Sequence, residues 1–274
     1  MFGWFGDCDG VSFSGLITNG STGLLGIIKT GTGTLALAGS NSYTGATTVN
    51  QGRLAVNGSI AASSGVSVAA GASLGGSGTV PGISGAGLVG PGNSPGILTV
   101  PTVDVGGGID FAFELTGTGS PVYGSPSASL NDVLRLTTGI SGTTTAANVV
   151  GVYFSSLAAG NVFRGGFYID TATTAGARAA AASLLADATW AYYVVGDGNG
   201  THAYGGSNYY TLAEYDPSLS IEWGVVADPA NFGSGLVGGA VTQFTAVPEP
   251  GGVWLASAAI GLVLARSWMR RRSP

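Results

Sequence analysis

The sequence predicts a mostly β protein: a parallel β-helix, or solenoid, that continues into a β-rich C-terminal region and is followed by one C-terminal transmembrane helix. Glycine contributes 50 of 274 residues and charged residues only 8%, compared with about a quarter in typical soluble domains. Short apolar pairs recur between turn-forming residues, and a long apolar run ends in clustered arginines. The apolar fraction and the small net charge exclude a disordered chain.

The solenoid is predicted from apolar pairs in which one residue separates two inward-facing side chains. Such pairs recur along the chain: Leu35 and Leu37, Leu54 and Val56 19 residues later, and Val66 and Val68. Glycine, asparagine and serine, which tolerate turns, lie between them. A two-residue apolar face cannot form a core alone, but stacked copies bury one another. Small inward residues favour a slim parallel β-helix over a globular sandwich.

The segment that begins at Lys29 resembles a known repeat, the autotransporter-associated β-strand repeat, also called the passenger-associated transport repeat. The positions that carry this resemblance are Lys29, Thr30, Gly31, Gly33, Leu35, Leu37, Gly39, Asn41, Tyr43, Thr44, Gly45, Thr47, Val49, Gly52, Leu54 and Val56. A second block, with a Pro-Gly-Asn-Ser-Pro-Gly turn at residues 91–96, looks like the end of such a repeat. The resemblance implies a right-handed β-helix in a secreted passenger protein, and no chemistry.

Longer strands are predicted after Pro101, in a β-rich region whose coils widen up to about Ser155. The candidates are Ile109 to Leu115, Val133 to Leu136, Val149 to Phe154, Phe167 to Ile169, Trp190 to Val195, Tyr209 to Leu212 and Ser220 to Val226. The alanine-rich stretch from Ala175 to Ala188 predicts a helix that caps the open end of the solenoid. Residues 227–246 are interpreted as a glycine-rich stalk.

The last 28 residues predict a membrane-spanning tail. Pro248-Glu249-Pro250 is an exposed, non-helical connector, because proline lacks a backbone donor and favours extended neighbours. A helix from Gly251 to Met269 would cover nearly the ~30 Å of a bilayer's hydrocarbon. Arg270, Arg271 and Arg272 mark its cytoplasmic end.

This order of parts resembles the PEP-CTERM sorting signal of exported bacterial proteins, with Pro248, Glu249 and Pro250 in the motif position. The resemblance implies processing by an exosortase, removal of the tail, and passage through the inner membrane to the cell surface or the medium, often alongside exopolysaccharide. A plain C-terminal anchor is the alternative. The N-terminus has no signal-peptide pattern, so the true start of the protein is expected upstream.

The predicted division of the chain has four parts: a partial N-terminal repeat at 1–28, the repeat solenoid at 29–103, the β-rich region and stalk at 104–246, and the sorting signal at 247–274. Of 14 acidic and 9 basic residues, Glu249 and four arginines belong to the tail. The remaining 13 acidic and 5 basic residues give a net charge of about −8. Such a surface cannot release counterions from nucleic acid, which excludes nucleic acid as a partner.

No residue is predicted to be catalytic, to bind a cofactor or to bind a metal. His202 is the only histidine. Asp110 and Glu114 face the same side of one predicted strand, but four residues place them ~13 Å apart, whereas a glycosidase pair needs about 5 to 9.5 Å.

Two hypotheses follow. The favoured one is a non-catalytic surface or matrix protein that adheres to exopolysaccharide or to neighbouring proteins. The alternative is a glycan-active β-helix enzyme, a lyase or hydrolase. The alternative requires that at least two carboxylates approach within ~9 Å in a groove; the candidates are Asp110, Glu114, Asp132, Asp170, Glu214 and Asp216.

Overall fold

A computed structural model describes residues 2–5, 10–21, 23–93, 95–118, 130–172, 174–196, 199–204, 206–228 and 239–249. Within these ranges the chain forms twenty strands and two helices. In chain order they are β1 (Phe2–Phe5), β2 (Val11–Phe13), β3 (Gly26–Lys29), β4 (Thr34–Leu37), β5 (Thr47–Val49), β6 (Arg53–Val56), β7 (Val66–Val68), β8 (Ser73–Gly76), β9 (Ile83–Gly85), β10 (Leu88–Pro91), β11 (Ile97–Asp104), β12 (Asp110–Leu115), β13 (Val133–Ser141), β14 (Val149–Phe154), β15 (Val162–Ile169), α1 (Ala175–Leu185), β16 (Thr189–Val195), β17 (His202–Tyr204), β18 (Ser207–Thr211), α2 (Leu212–Tyr215), β19 (Leu219–Asp228) and β20 (Gly239–Pro248).

The strands alternate between two ten-stranded sheets. The first sheet has the order β1-β3-β5-β7-β9-β11-β13-β15-β20-β19, and the second has the order β17-β18-β16-β14-β12-β10-β8-β6-β4-β2. From β1 to β16 each strand pairs in parallel with the strand two places away in the chain. Each coil therefore gives one strand to each sheet, as in a β-helix. The predictions of a mostly β chain and of stacked parallel coils are confirmed.

A third, narrower side connects the two sheets. Positions on this side are joined in parallel from coil to coil: Ser40, Ser59, Thr79, Thr99, Arg135 and Tyr168. In the early coils each contact is a single bridge. From β11 onward the side becomes part of a longer strand, whose register shifts between Val100 and Thr102 where the chain bends from one side to the next.

The coils widen along the chain, as predicted. Strands β3 to β10 have three or four residues each, whereas β11 to β16 have six to nine. Aromatic side chains fill the larger interior, where Phe167 meets Phe111 and Phe113 edge-on at centroid distances of 4.8 and 5.1 Å. Edge-to-face packing suits the charge distribution of aromatic rings.

The core of the solenoid is a column of apolar side chains in register. The inward positions of the second sheet are Leu35, Leu54, Leu74, Val89, Phe111 and Val150, and all are buried. Each residue covers its neighbours in the coils above and below, so the column buries what a single coil could not.

The apolar pair Val66 and Val68 does not repeat the pair Leu54 and Val56, contrary to the prediction from spacing. It lies in β7 of the first sheet, where it pairs with Thr47 and Val49 of β5. Each coil has one strand in each sheet, and each of these strands carries an inward-facing pair. The number of residues between two consecutive pairs therefore corresponds to half a coil in some cases and to a whole coil in others.

Lys29, the only lysine of the sequence, is fully buried at the end of β3. Its ammonium group donates to the carbonyl oxygens of Thr30 and Gly31 at 2.7 Å and of Gln51 at 3.2 Å. A buried cation is tolerated when its donors are satisfied. Lys29 thus ties the turn of one coil to the corresponding turn of the next.

Two antiparallel hairpins close the C-terminal end of the solenoid. In the first sheet β20 pairs with β15, the last parallel strand, and β19 pairs with β20. In the second sheet β18 pairs with β16, and β17 with β18. The hairpins satisfy the backbone donors and acceptors that the last parallel strands would otherwise leave open.

The predicted capping helix is present as α1 but ends at Leu185, three residues before the predicted end. Thr174 caps its N-terminus by accepting from the backbone of Ala177, and Ala181 and Leu185 are buried. The carbonyl oxygen of Leu184 accepts from the backbone and hydroxyl groups of Thr144, just beyond β13. The helix covers one side of the C-terminal end of the solenoid. The hairpins, not the helix, pair with the sheet edges, because a helix cannot extend a β ladder.

The predicted glycine-rich stalk is wrong for the described part of residues 227–246. Ala227 and Asp228 end β19, and residues 239–246 lie within β20, where Ala240, Val241 and Phe244 are buried. Alternating apolar residues pack into the core here despite the surrounding glycines. Residues 229–238 lie outside the described ranges.

The C-terminal tail falls largely outside the described residues. Pro250, the predicted transmembrane helix and Arg270, Arg271 and Arg272 all lie there. Within the described ranges neither helix has the length and apolarity needed to cross a bilayer. Pro248 ends β20 and is exposed, and the Glu249 N–H donates to the Ser218 carbonyl oxygen at 2.6 Å.

We expect Lys29→Met to lower the free energy of unfolding by at least about 2 kcal/mol, because three carbonyl groups lose the buried donor that they share. The measurement is urea unfolding of the chain in mild detergent, followed by circular dichroism. Asn50→Ala, an exposed change on the neighbouring turn, should stay within about 0.5 kcal/mol of the parent. Equal stability of both variants would contradict the role assigned to Lys29.

Candidate ligand-binding cleft

A cleft of about 380 Å³ opens on the outer face of the second sheet. Its lining comes from several coils: Arg53 of β6, Pro91 at the end of β10, Gly92 and Asn93 after it, Glu114 of β12, Asp132 before β13, and Tyr204 of β17. Residues far apart in the sequence meet here because the coils stack in parallel and because the hairpin of β17 and β18 lies beside them.

Small residues lie in the sheet beside the cleft. One row of outward positions in the second sheet carries only alanine or glycine: Ala36, Ala55, Gly75 and Gly90 in the early coils, and Ala112, Gly151 and Ala191 in the later ones. A Cβ atom at Gly75 would overlap the guanidinium group of Arg53, and one at Gly90 would overlap the Tyr204 hydroxyl. The missing side chains make the space in which Arg53 and Tyr204 lie.

Arg53 lies across this row instead of pointing into solvent. Its Nη2 donates to the carbonyl oxygen of Gly92 at 3.0 Å, with a longer contact of 3.5 Å to that of Gly90. These contacts span two coils and fix the guanidinium group at one side of the cleft. The planar, permanently charged group is well suited to such a fixed position.

The hairpin formed by β17 and β18 folds back over the outer face and makes the opposite wall. Tyr204 stacks on Tyr153 of β14 with ring centroids 4.3 Å apart, and Tyr153 stacks on Tyr193 of β16 at 4.8 Å. Tyr209 of β18 meets Tyr153 edge-on, and its hydroxyl donates to Glu114 Oε1 at 3.4 Å. The tyrosines hold one another and the hairpin in place.

Burial raises the pKa of three of these tyrosines. It raises the pKa of Tyr153 to about 12, with further contributions from Tyr193, Tyr209 and Glu114. Burial also raises the pKa of Tyr209 to about 12, assisted by Glu114, and raises that of Tyr204. All three phenols are therefore neutral at physiological pH and can both donate and accept hydrogen bonds.

Asp132 is the most buried acid of the cleft. Its Oδ1 accepts from the Gly96 N–H at 2.7 Å and its Oδ2 from the Glu114 N–H at 2.9 Å. Its backbone N–H also donates to Glu114, and its carbonyl oxygen accepts from Gly166. Asp132 thus connects β12, the turn before β11 and β15 across three coils.

Burial raises the pKa of Asp132 well above its usual range, and the nearby Glu114 carboxylate adds to the increase. The two backbone N–H donors and Arg53 oppose it. The net direction is upward because loss of solvation is the largest contribution.

Glu114 and Asp132 are the two candidate carboxylates that share a groove, since both line the cleft. The other four interact elsewhere. Asp110 accepts from the Val149 N–H at 2.7 Å, Asp170 forms an ion pair with Arg135 at 3.0 Å, Glu214 accepts from Thr211, and Asp216 accepts from Ser218. Asp110 and Glu114 belong to different parts of the surface, as their separation predicts.

The remaining sequence candidates lie away from the cleft lining. His202 packs against the Tyr193 ring at 5.0 Å and contacts the Thr201 hydroxyl at 3.0 Å. Among the described residues, no group of three His, Cys, Asp or Glu side chains is placed to hold a metal ion. Pro248 and Glu249 lie at the end of β20. Their role in sorting stays a prediction, as does that of Pro250.

Residues 27–56 match the passenger-associated-transport-repeat. They span β3 to β6, so the match covers two successive coils. Two extracellular serine proteases of Serratia marcescens resemble the chain in part, one with 49% identity over 63 residues and the other with 52% over 56 residues. These stretches make up 23% and 20% of this chain but only 6% and 5% of the proteases, so the chain spans a small part of their length.

Of the cleft residues, Arg53 alone lies within the matched repeat. Sequence reasoning missed Arg53, Asn93 and Tyr204, and it did not pair Glu114 with Asp132. One signal was available: one row of outward positions in successive strands carries only glycine or alanine, which indicates that other side chains lie over this row.

We expect the stability of the protein to fall as pH rises from about 4 through the folded-state pKa of Asp132. In the unfolded state the Asp132 carboxyl group releases its proton near pH 4, while in the folded state it retains the proton. Each increase in pH over this range therefore favours unfolding. Asp132→Asn removes this titration. The free energy of unfolding of the parent minus that of the variant should therefore decline as pH rises from about 4 through the folded-state pKa of Asp132, measured by urea unfolding.

Asp216→Asn is the matched control. Hydrogen bonds from Ser218 lower the pKa of this exposed acid, so its contribution changes only below pH 4 and should stay constant over the window. Parallel stability curves for the parent and Asp132→Asn would contradict the assignment.

Proposed function

We propose that this chain is a passenger-type β-helix, exported to the cell surface or the medium, which acts there without catalysis as an adhesive or matrix component. The observation that carries the proposal is the continuous stack of parallel coils that runs from β1 to β16 and includes the matched repeat. Such a stack offers a long, regular outer face. The expected right-handed sense of the β-helix belongs to this proposal.

The surface of the coils supports an adhesive role. Outward positions in residues 29–103 are mostly glycine, alanine, serine, threonine and asparagine, and the charged residues of this segment are Arg53 and the buried Lys29. Exposed loops and strands of this kind present hydrogen-bonding groups without strong charge. They suit polar, uncharged partners such as exopolysaccharide, and disfavour nucleic acid.

The delivery of the protein is part of the proposal. Pro248, Glu249 and Pro250, followed by an apolar run and Arg270, Arg271 and Arg272, would form a PEP-CTERM signal that an exosortase processes after transit through the inner membrane. In support of this, Pro248 and Glu249 are exposed at the point where the last strand of the folded body ends. A processing enzyme would meet the motif directly at the solenoid.

A reporter that carries an export signal and residues 247–274 tests the sorting proposal. It should be held in the membrane of a host without exosortase, and released or surface-attached in a host with the enzyme. Fractionation and blotting give the readout, with a Glu249→Ala fusion as the matched control that should stay membrane-held in both hosts. Identical fractionation of the parent fusion in both hosts would contradict the assignment.

Glycan cleavage is the second candidate, because Glu114 and Asp132 line one cleft. The hydrogen bonds of Asp132 weigh against it, since both of its oxygens accept from backbone N–H groups. A general acid needs access to the leaving group as well as a raised pKa.

We expect the purified chain to release no reducing ends from soluble polysaccharides, and Glu114→Gln to give the same background. The measurement is a reducing-sugar assay with long incubation, with unsaturated products monitored at the same time to detect a lyase. Product formation that Glu114→Gln abolishes would replace the non-catalytic proposal by the catalytic one.

A further inference from the structure

We infer that the cleft between Arg53 and Tyr204 is a binding site for one or two units of a neutral saccharide. The inference rests on the proposed adhesive function and names the part of the surface, and the class of ligand, through which adhesion would occur. It is independent of how the protein is sorted.

The first argument is the mixture of hydrogen-bonding groups. Arg53 only donates, Glu114 as a carboxylate only accepts, and Asn93 and the Tyr204 hydroxyl do both. Adjacent hydroxyl groups of a sugar also donate and accept, so a ring placed here can pair with groups of each kind. A purely apolar ligand would displace water from these groups without offering hydrogen bonds in exchange, which is costly.

The second argument is charge. Two acids, Glu114 and Asp132, line the cleft with a single guanidinium group, and that group already donates to Gly92. An anionic ligand would face the Glu114 carboxylate with little compensating positive charge. A metal cation would face Arg53. A neutral polar ligand avoids both repulsions.

The third argument is shape. A volume of about 380 Å³ lies at the lower end of small-ligand pockets, roughly 300 to 1,000 Å³. Because Gly75 and Gly90 have no side chains, Arg53 and Tyr204 lie close against the sheet at the two sides of the cleft.

The fourth argument is preorganisation. Tyr204 is stacked on Tyr153, which is stacked on Tyr193, and Arg53 is fixed by backbone carbonyls. Side chains that are already ordered lose little entropy when a ligand binds. Tyr204 in addition offers an aromatic surface with a polar end, a combination that suits the apolar and polar edges of a sugar ring.

The test is isothermal titration calorimetry of the full chain in mild detergent with hexasaccharides of glucan, mannan, galactan and xylan, and with an oligogalacturonate of equal length as the anionic probe. We expect at least one neutral oligosaccharide to bind and the anionic one to bind at least tenfold more weakly. Tyr204→Ala should weaken the neutral interaction at least tenfold, and Glu114→Gln about three- to tenfold.

Tyr215→Ala is the matched control, because Tyr215 is a half-exposed tyrosine of α2 that does not line the cleft; its affinity should equal that of the parent. Circular dichroism distinguishes loss of the site from loss of the fold. If Tyr204→Ala fails to fold, the inference is tested by the affinity of Glu114→Gln, because this substitution keeps the shape of the side chain.

Three results would overturn the inference: no binding of any neutral probe at millimolar concentration, preference for the anionic probe, or binding that neither cleft variant changes. Each of them leaves the export proposal intact, because fractionation of the fusion measures that separately. Cleavage of a bound probe would retain the site but overturn the non-catalytic role.

Discussion

Hydrogen bonding between successive coils is the constraint on which the rest of this structure depends. Each coil's backbone must meet the next at the fixed spacing of a parallel ladder, and the turns must be as close to one another as the strands are. A Cβ atom on Gly58 would overlap the carbonyl oxygen of Gly39, and one on Gly78 would overlap that of Gly58. Glycine recurs at such turns because stacked turns leave no space for a side chain.

The same constraint produces the cleft. Outward positions of the second sheet are only a strand spacing apart, so a run of glycine and alanine at these positions leaves a continuous shallow channel. Long side chains from the margins, Arg53 and Tyr204, then lie in it instead of standing out from the sheet. The terminal hairpin that closes the sheet edge also covers one end of this channel. The hairpin of β17 and β18 therefore both caps the sheet and completes the cleft.

Several features of the fold could be predicted from the sequence because they depend on local alternation. Leu35 with Leu37, and Leu54 with Val56, lie in register in neighbouring strands, as their spacing indicated. The pair Val66 and Val68 does not repeat Leu54 and Val56 as predicted but lies in the other sheet, since spacing alone does not distinguish half a coil from a whole one. The strand β20 was missed because glycine-rich residues surround its alternating core positions, so composition outweighed pattern.

The site could be predicted less well than the fold, for a physical reason. Asp132 and Glu114 are separated by 18 positions and by a long connection, and their meeting depends on the length of the intervening coil. Tyr204 reaches Gly90 only because a hairpin folds back over the sheet. Contacts of this kind are set by tertiary geometry, and no local pattern encodes them.

The position of β20 has a mechanical consequence. This strand lies between β15 and β19 and is hydrogen-bonded to both, and Glu249 follows directly after its last residue. A load applied at Glu249 therefore runs along the strand and must shear two ladders at once, whereas an edge strand could be peeled away one bond at a time. A body attached to a surface through this end would resist drag with its whole terminal sheet.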